Sequence, residues 1–134
     1  MKRLLLGLML IVTATAASAE WTFVSDTGGD TDDYIQYVDR ATIRKRGNLV
    51  KMWGLRDFKT VQKSAAGDSY LSSNAQEEYD CKEEKSRILA FTWFAGKMGN
   101  GKVVYSNSDT GDKWSPISPG SVGETLWKIA CGKK

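Results

Sequence analysis

The 134-residue chain contains 19 basic and 16 acidic residues, and it has no histidine. The absence of histidine excludes Ser-His-Asp and Cys-His catalytic arrangements, and it removes the commonest neutral ligand of zinc. Five tryptophans in a chain of this length indicate either an aromatic-rich core or an exposed aromatic binding face.

Residues 1–19 have the features of a signal peptide. Lys2 and Arg3 precede an apolar run at residues 4–12, and Ala17-Ser18-Ala19 forms an A-x-A cleavage site. The apolar run is shorter than the roughly 20 residues that a membrane-spanning helix requires. We therefore expect cleavage after Ala19, export to the periplasm, the cell surface or the medium, and no stable membrane anchor. A retained anchor is the alternative.

Cleavage of 19 residues from 134 would leave residues 20–134, which suffice for one domain with its own core. The leader takes two of the 19 basic residues, so the remainder carries 17 basic and 16 acidic residues, a net charge of +1. Such a balance gives no strong field for nucleic acid, and we expect no nucleic-acid partner. No cysteine lies at the cleavage site, so the product is not expected to be a lipoprotein. No repeat or linker divides residues 20–134, which we predict to form a single domain.

Most of this domain has the pattern of short β-strands. The first predicted strands lie at residues 21–25, 34–39, 42–45 and 49–58. Gly47 and Asn48 can adopt the positive φ values of a two-residue hairpin turn, so the last two strands are expected to pair. Ser69–Asp80 is polar, and we predict a strand that flanks the sheet.

The most apolar run of the domain is at residues 88–94. This run is short and rich in aromatic residues, which favours a central strand over a helix. The Met-Gly-Asn-Gly sequence at residues 98–101 is typical of a turn, and residues 102–106 are expected to pair back onto the apolar strand. The pattern predicts an antiparallel sheet.

The C-terminal segment changes to helical periodicity. Ser121 and Glu124 have the spacing of a capping box, and Gly132 is a natural helix stop. The apolar residues between them cover one side of a helical wheel: Val122, Leu126, Trp127, Ile129, Ala130 and Cys131. We predict a short helix packed on the sheet.

Cys81 and Cys131 are the two cysteines of the chain. Pairing is the default for an exported domain, with free thiols or an intermolecular bridge as the alternatives. The bond would close a loop of about 50 residues and contribute roughly 4 kcal/mol in the chain-entropy model. We infer that it tethers the helix to the sheet.

Acidic residues are concentrated around Cys81: Glu77, Glu78, Asp80, Glu83 and Glu84. A pair of carboxylates would suit a glycosidase. The basic residues interleaved with this group, Lys82, Lys85 and Arg87, favour a solvated, self-neutralising face instead. We therefore predict no enzymatic activity and no cofactor.

A second acidic group consists of Asp26, Asp30, Asp32 and Asp33. Carboxylates are suitable calcium ligands, but this spacing matches no complete EF-hand loop and lacks its distal glutamate. An ordinary solvated turn is favoured, and no metal is expected.

The chain has one basic cluster, which consists of Arg40, Arg44, Lys45 and Arg46. Alternation along a strand would divide these side chains between two faces, which weakens the case for an anion-binding patch. A salt-bridged hairpin is favoured over contact with a glycan or another polyanion.

Several short elements follow one another in a characteristic order: Trp21, Tyr37-Val38-Asp39, Val50-Lys51-Met52-Trp53, Glu78-Tyr79-Asp80-Cys81, Trp114, Pro119-Gly120-Ser121, Trp127 and Cys131. In this order and spacing they resemble the surface-adhesin protein E family of Gram-negative bacteria. The resemblance covers residues 21–131. Its most specific parts are the Tyr-Asp-Cys element and the C-terminal Pro-Gly-Ser, Trp and Cys elements.

The resemblance implies an α+β fold with an antiparallel sheet of about six strands and a C-terminal helix tethered to one face through Cys81 and Cys131. It implies a non-enzymatic binding protein whose ligands are host matrix or serum proteins, provided that it is displayed on the cell surface. A soluble periplasmic protein that binds an envelope component, or inhibits a hydrolase, is the alternative. The resemblance assigns no ligand-binding residue and no oligomeric state.

Overall fold

The computed structural model describes residues 19–28, 33–111 and 113–134. All but the last residue of the predicted signal peptide, and also Asp30 and Asp32, lie outside these ranges. Within the described ranges, no helix is both long enough and apolar enough to cross a membrane.

The described residues form one antiparallel sheet and one α-helix. The strands are β1 (Thr22–Asp26), β2 (Tyr34–Arg46), β3 (Leu49–Lys63), β4 (Ser69–Asp80), β5 (Lys85–Phe94), β6 (Val103–Asn107) and β7 (Ser115–Pro116), and the helix is α1 (Val122–Cys131). Strands β1 to β6 lie side by side in chain order, and β7 pairs with the first residues of β5. The predicted α+β fold class, with its mainly antiparallel sheet and C-terminal helix, is confirmed.

Strand β2 is longer than the sequence indicated. The strands predicted at residues 34–39 and 42–45 form one strand with an irregularity between Asp39 and Arg44. The Thr42 hydroxyl spans the irregularity, because it donates to the Asp39 carbonyl at 2.6 Å and accepts from the Trp53 N–H at 2.9 Å. A side chain thus replaces the missing backbone pairing, and the strand continues to the predicted turn at Gly47 and Asn48.

The prediction that Ser69–Asp80 flanks the sheet was wrong. Strand β4 lies in the interior of the sheet, between β3 and β5. There the fully buried Ser72 hydroxyl donates to the Gly96 carbonyl at 2.6 Å and accepts from the Gly99 N–H at 2.9 Å. The polarity of Ser72 therefore reflects its contacts with the turn before β6, not solvent exposure.

Helix α1 begins and ends where the sequence predicted. The Ser121 hydroxyl accepts from the Glu124 N–H at 3.1 Å, and Gly132 ends the helix in a left-handed conformation with a φ of 66°. In a complete capping box the Glu124 carboxylate would accept from the Ser121 N–H. Here the Ser121 N–H donates to the Ser118 carbonyl, and the Glu124 carboxylate lies 3.3 Å from the Lys128 ammonium. The side chain of Ser121 therefore caps the helix.

The helix packs on one face of the sheet and is bonded to the end of β4. Its buried side chains and those beneath them form the core: Leu126, Trp127, Ala130, Val38, Val50, Met52 and Tyr79. A disulfide joins Cys81 to Cys131 across a Cα–Cα distance of 5.6 Å. Beside it, the Trp127 indole N–H donates to the Asp80 carbonyl at 2.9 Å. These contacts tether the helix as the sequence analysis inferred.

Candidate ligand-binding groove

The sheet has one face that the helix covers only in part, which we call the helix face. Tyr34 and Gln36 alternate with residues of the other face and so point to the same side as Val38, which lies in the core beneath the helix. Their partners on β3 share this side: Phe58 opposite Tyr34, Arg56 opposite Gln36, and Gly54 opposite Val38. The helix face therefore extends well beyond the helix.

Beyond the helix, this face carries six aromatic side chains, which we call the aromatic row: Tyr34, Phe58, Tyr70, Phe91, Trp93 and Tyr105. Neighbouring ring centroids lie 4.6–5.9 Å apart. Trp93 stacks on Tyr70 with an interplanar angle of 12°, and Tyr105 is 47% exposed. The rings support one another in the geometries that aromatic pairs favour, and none is fully enclosed.

Two adjoining cavities between the helix and the aromatic row form the feature that we call the helix groove. The outer cavity has a volume of about 440 Å³ and the inner cavity about 220 Å³. Both are lined by Arg56, Glu77, Ile88, Phe91 and Leu126. The inner cavity is deep because the strands beneath it contribute small residues: Gly54, Ser73 and Ala75.

Glu77 is the one acidic residue that the described part of the chain contributes to this groove. Burial raises the pKa of its carboxyl above the ordinary 4.5, and the Arg56 charge and a hydrogen bond from Tyr79 partly oppose this rise. Burial also raises the pKa of Tyr79 well above 10, so its hydroxyl keeps its proton and remains a donor. The Arg56 guanidinium lies 4.9 Å from the centre of the Tyr34 ring.

Gln36 lines the inner cavity and is only 3% exposed. Its amide nitrogen donates to the Tyr37 carbonyl at 2.9 Å and to the Leu55 carbonyl at 3.2 Å. Two acceptors on the nitrogen fix the orientation of the amide, and its Oε1 has no hydrogen-bond partner among the described residues. Gly54 makes this placement possible, since a Cβ there would lie 3.1 Å from the Gln36 nitrogen. The Gln36 Oε1 is therefore a buried acceptor without a hydrogen-bond partner among the described residues, beside the inner cavity.

The acidic residues around Cys81 do not form the solvated face that the sequence favoured. Glu77 and Glu78 are neighbours on β4 and point to opposite faces. Glu78 is 2% exposed and its Oε1 lies 2.7 Å from the Arg87 Nη2. Asp80 accepts from the N–H groups of Lys82 and Glu83. Glu83 and Glu84 are exposed as expected, and the group provides no pair of facing carboxylates.

Two of the four aspartates in the predicted solvated turn are described, and they share a lysine. The Lys59 ammonium lies 2.5 Å from Asp26 and 3.0 Å from Asp33. The hydrogen bond between Lys59 and Asp26 lowers the pKa of the Asp26 carboxyl and raises the pKa of the Lys59 ammonium. Throughout the described ranges, no three metal-ligating side chains come together.

The basic residues of the β2–β3 hairpin remain separate from the helix groove. Arg44 donates to the Ala41 and Ile43 carbonyls at 2.8 and 2.9 Å, so its partners are backbone groups. Arg44, Lys45 and Arg46 line a cavity of about 130 Å³ near the turn. The strand nevertheless divides these side chains between two faces, as the sequence predicted: Lys45 lies opposite the core residue Val50 on the helix face, and Arg44 and Arg46 point to the other face.

Comparison with known proteins gives one family and one fold. The family model described as surface-adhesin protein E matches residues 21–132. Crystal form II of Haemophilus influenzae protein E is 13% identical, with a TM-score of 0.56 over 81% of this chain and 97% of that one. A second structure of Haemophilus influenzae protein E is 10% identical, with a TM-score of 0.58 over 88% and 91%. These structures share the fold, and no curated protein sequence matches the chain significantly.

Proposed function

Because the chain belongs to the surface-adhesin protein E family, we propose that it is an exported, non-enzymatic binding protein that holds a protein ligand in the helix groove. The family match confirms the resemblance that the short sequence elements predicted. One observation above all supports the groove as the binding site: three rings of the aromatic row, Tyr34, Phe91 and Trp93, line its cavities, and the row continues from them over a face that the helix leaves open.

Aromatic residues are the side chains most typical of protein-binding surfaces. Tyrosine, tryptophan and phenylalanine are enriched at interfaces, and the strongest contacts cluster where such rings border a pocket. Trp93 fits this description, because it lines the inner cavity and stacks on Tyr70 at 4.6 Å. The row needs little reorganisation on binding, since its rings already hold one another in place.

The ionisable side chains near the groove favour binding over catalysis. Acid–base catalysis requires a proton donor or acceptor with a second group in reach of the reacting atoms. Glu77 instead accepts from Tyr79 and faces the Arg56 charge, while Glu78 is bound to Arg87 on the opposite face. This arrangement supports recognition of a ligand by fixed charges.

For the location of the protein, we propose that a signal peptide is cleaved after Ala19 and that residues 20–134 act outside the cytoplasm as a single domain. If the domain is displayed on the cell surface, its ligands are host matrix or serum proteins. The missing cysteine at the cleavage site favours a second candidate, a soluble periplasmic protein that binds an envelope component or inhibits a hydrolase.

Protease treatment of intact producing cells separates these two candidates. A surface protein is degraded by the added protease, while a periplasmic one is degraded only after the outer membrane has been permeabilised. Release into the medium without digestion on the cell would argue against surface display.

The binding site is tested with Trp93→Ala in the processed protein purified from producing cells. Immobilised wild type is used to capture matrix and serum proteins, and affinities are measured by surface plasmon resonance. We expect Trp93→Ala to weaken binding about tenfold or more, as for a central aromatic contact.

Phe23→Ala is the matched control for this experiment. Phe23 is an aromatic residue that is 59% exposed and pairs with Tyr37 on the opposite face of the sheet. Its replacement is expected to leave the affinity unchanged. Equal binding by wild type and a folded Trp93→Ala variant would rule out the groove.

A further inference from the structure

We propose that the outer cavity of the helix groove binds a carboxylate, the side chain of an aspartate or glutamate of the protein ligand. This inference rests on the proposed function and names the chemistry that the groove recognises. It follows from three properties of the cavity: an excess of positive charge around it, hydroxyl groups that can donate to an anion, and apolar walls that suit a short side chain.

Basic residues outnumber acidic ones around the outer cavity. Arg56, Arg87 and Lys113 line it, against the single acid Glu77. The charge of Arg87 is already balanced, since its Nη2 lies 2.7 Å from the Glu78 Oε1. Arg56 and Lys113 have no carboxylate oxygen within salt-bridge distance among the described residues. A ligand therefore meets two cations without an ion pair at one cavity, and an anionic group is the complement of both.

Arg56 is held in a position from which it can bind a carboxylate. Its guanidinium lies 4.9 Å from the centre of the Tyr34 ring, which lines the same cavity. Contact with a ring restrains the side chain and is compatible with hydrogen bonds from the guanidinium N–H groups. The planar guanidinium matches a carboxylate with two parallel hydrogen bonds, a geometry that a lysine ammonium does not provide. Arg56 therefore makes the main contact with the ligand, and Lys113 adds attraction.

Neutral groups around the cavity act in the same direction as these cations. Ser86 and Ser115 lie opposite each other on β5 and β7, and both line the outer cavity. Each hydroxyl can donate a hydrogen bond to a carboxylate oxygen. Val122 and Gly123, the first residues of helix α1, form another part of the wall, where the positive end of the helix dipole adds to the attraction. The surroundings of the two cations thus reinforce the preference for an anion.

The remaining walls favour an acidic side chain of a protein over a sulfated glycan. Ile88, Phe91 and Leu126 contribute apolar surface to the outer cavity. This surface suits the methylene groups of an aspartate or glutamate, whereas a sulfated glycan would bring several charges and hydroxyls against it. The cavity, at about 440 Å³, has room for one acidic side chain and part of the backbone that carries it.

Glu77 weakens the binding of an anion but does not reverse the preference, because Arg56 and Lys113 outnumber it. Its carboxyl accepts a hydrogen bond from Tyr79 and interacts with the Arg56 charge. Burial raises its pKa above the ordinary 4.5, and a bound carboxylate would raise that pKa further by adding a second negative charge nearby. Removal of the Glu77 charge should consequently strengthen binding, an effect opposite in sign to the loss of a cation.

The proposal is tested by NMR titration of the isotope-labelled processed protein with N-acetyl-glutamate methylamide. N-acetyl-glutamine methylamide is the matched probe, because it has the same shape and no charge. We expect the glutamate probe to shift the Arg56 Nε–H and the Gly123 N–H, with about tenfold higher affinity than the glutamine probe at low salt. Added salt should reduce this difference by screening the charges. Equal affinities at low salt, glutamate-induced shifts confined to other surfaces, or tighter binding of a sulfated disaccharide would overturn the proposal.

Two variants should change the affinity for the glutamate probe in opposite directions. Arg56→Gln is expected to weaken it about tenfold, and Glu77→Gln to strengthen it about threefold, while the affinity for the glutamine probe stays the same in both. Lys102→Gln is the matched control, because it removes an exposed cation that lines neither cavity of the groove and should change neither affinity. Unchanged glutamate binding by folded Arg56→Gln, or weaker binding by folded Glu77→Gln, would contradict the assignment.

The outcomes for the ligand class and for the proposed function differ. If Trp93→Ala weakens capture of the protein ligand but the glutamate probe shows no preference over glutamine, the groove remains the binding site and the acidic side chain is wrong. If folded Trp93→Ala captures the protein ligand as wild type does, the proposed function fails. The assignment of a ligand side chain to the cavity then fails with it.

Discussion

The covered and open halves of the helix face differ in how their side chains are stabilised. Under the helix, Val38, Val50 and Met52 are almost fully enclosed by Leu126 and its neighbours. In the open half, large aromatic rings contact one another across the strands and remain partly exposed. The same strands thus supply a core at one end and a preformed surface at the other. Stability should depend mainly on the first half, and ligand binding on the second.

Loss of the disulfide is expected to have the largest effect on the covered half. The double variant Cys81→Ser with Cys131→Ser should lose about 4 kcal/mol of unfolding free energy, because the bond closes a loop of about 50 residues. Urea unfolding followed by circular dichroism measures the loss. Wild type in reductant is the control and should behave as the double variant does; equal stability of the double variant and oxidised wild type would contradict the prediction.

Truncation of a core side chain should have the next largest effect. Leu126 is 4% exposed, and Leu126→Ala is expected to cost about 3 kcal/mol of unfolding free energy through lost burial and the remaining void. Thr125→Ala, on the exposed side of the same helix, should change it by less than about 0.5 kcal/mol. Similar urea midpoints for the two variants would show that the helix does not stabilise the sheet.

A substitution in the open half should separate stability from binding. Trp93→Ala removes a larger side chain than Leu126→Ala, yet we expect it to cost only about 1–2 kcal/mol, since the lost contacts are ring pairs at a partly exposed surface. Its effect on ligand affinity should exceed that of any core variant that still folds. A stability loss as large as that of Leu126→Ala would remove the distinction between the two halves.

The smallest expected effect is a pH dependence at the boundary between the halves. Burial raises the pKa of Glu77 above 4.5, so the folded state binds this proton more tightly than the unfolded state does. The resulting stabilisation is present at low pH and is lost as the pH rises through the raised pKa. The charged and titratable groups that face Glu77 are Arg56 on β3 and Tyr79 on β4, and both limit the effect.

Glu77→Gln tests this sign because glutamine stays neutral at every pH. The unfolding free energy of the variant, relative to wild type, should increase as the pH is raised from about 4 to about 7. Urea unfolding at several pH values measures the difference. A difference that decreases over this range would show that Arg56 and Tyr79 outweigh the burial of the carboxyl.

The elements that sequence reasoning predicted well are those whose signals are local. Ser121, Glu124 and Gly132 mark the ends of the helix within one segment, and the two cysteines leave a single intramolecular pairing. Strand β4 was misplaced because Ser72 is polar for a reason that lies 24 residues away, at the Gly96 carbonyl. Polarity alone does not distinguish a solvated strand from one that binds a distant turn.

The groove was not predictable, because it depends on the register of four strands. Gly54 and Ala75 are opposite each other on β3 and β4, and Phe91 is opposite Ala75 on β5. Only this alignment produces a cavity between the helix and the rings. One signal was present in the sequence: Gln36 is a polar residue at an inward position between Tyr34 and Val38. Without the register, its unsatisfied oxygen could not be assigned to a site.

The bond between Cys81 and Cys131 also bears on when the protein becomes competent to bind. It links the strand that carries Glu77 to the helix that supplies Leu126, and these two residues line the same groove. Before the sulfur atoms are joined, only non-covalent packing holds that wall against the sheet. Recombinant protein made in a reducing cytosol should therefore mature into its active form upon oxidation, with ligand affinity rising as the thiols disappear.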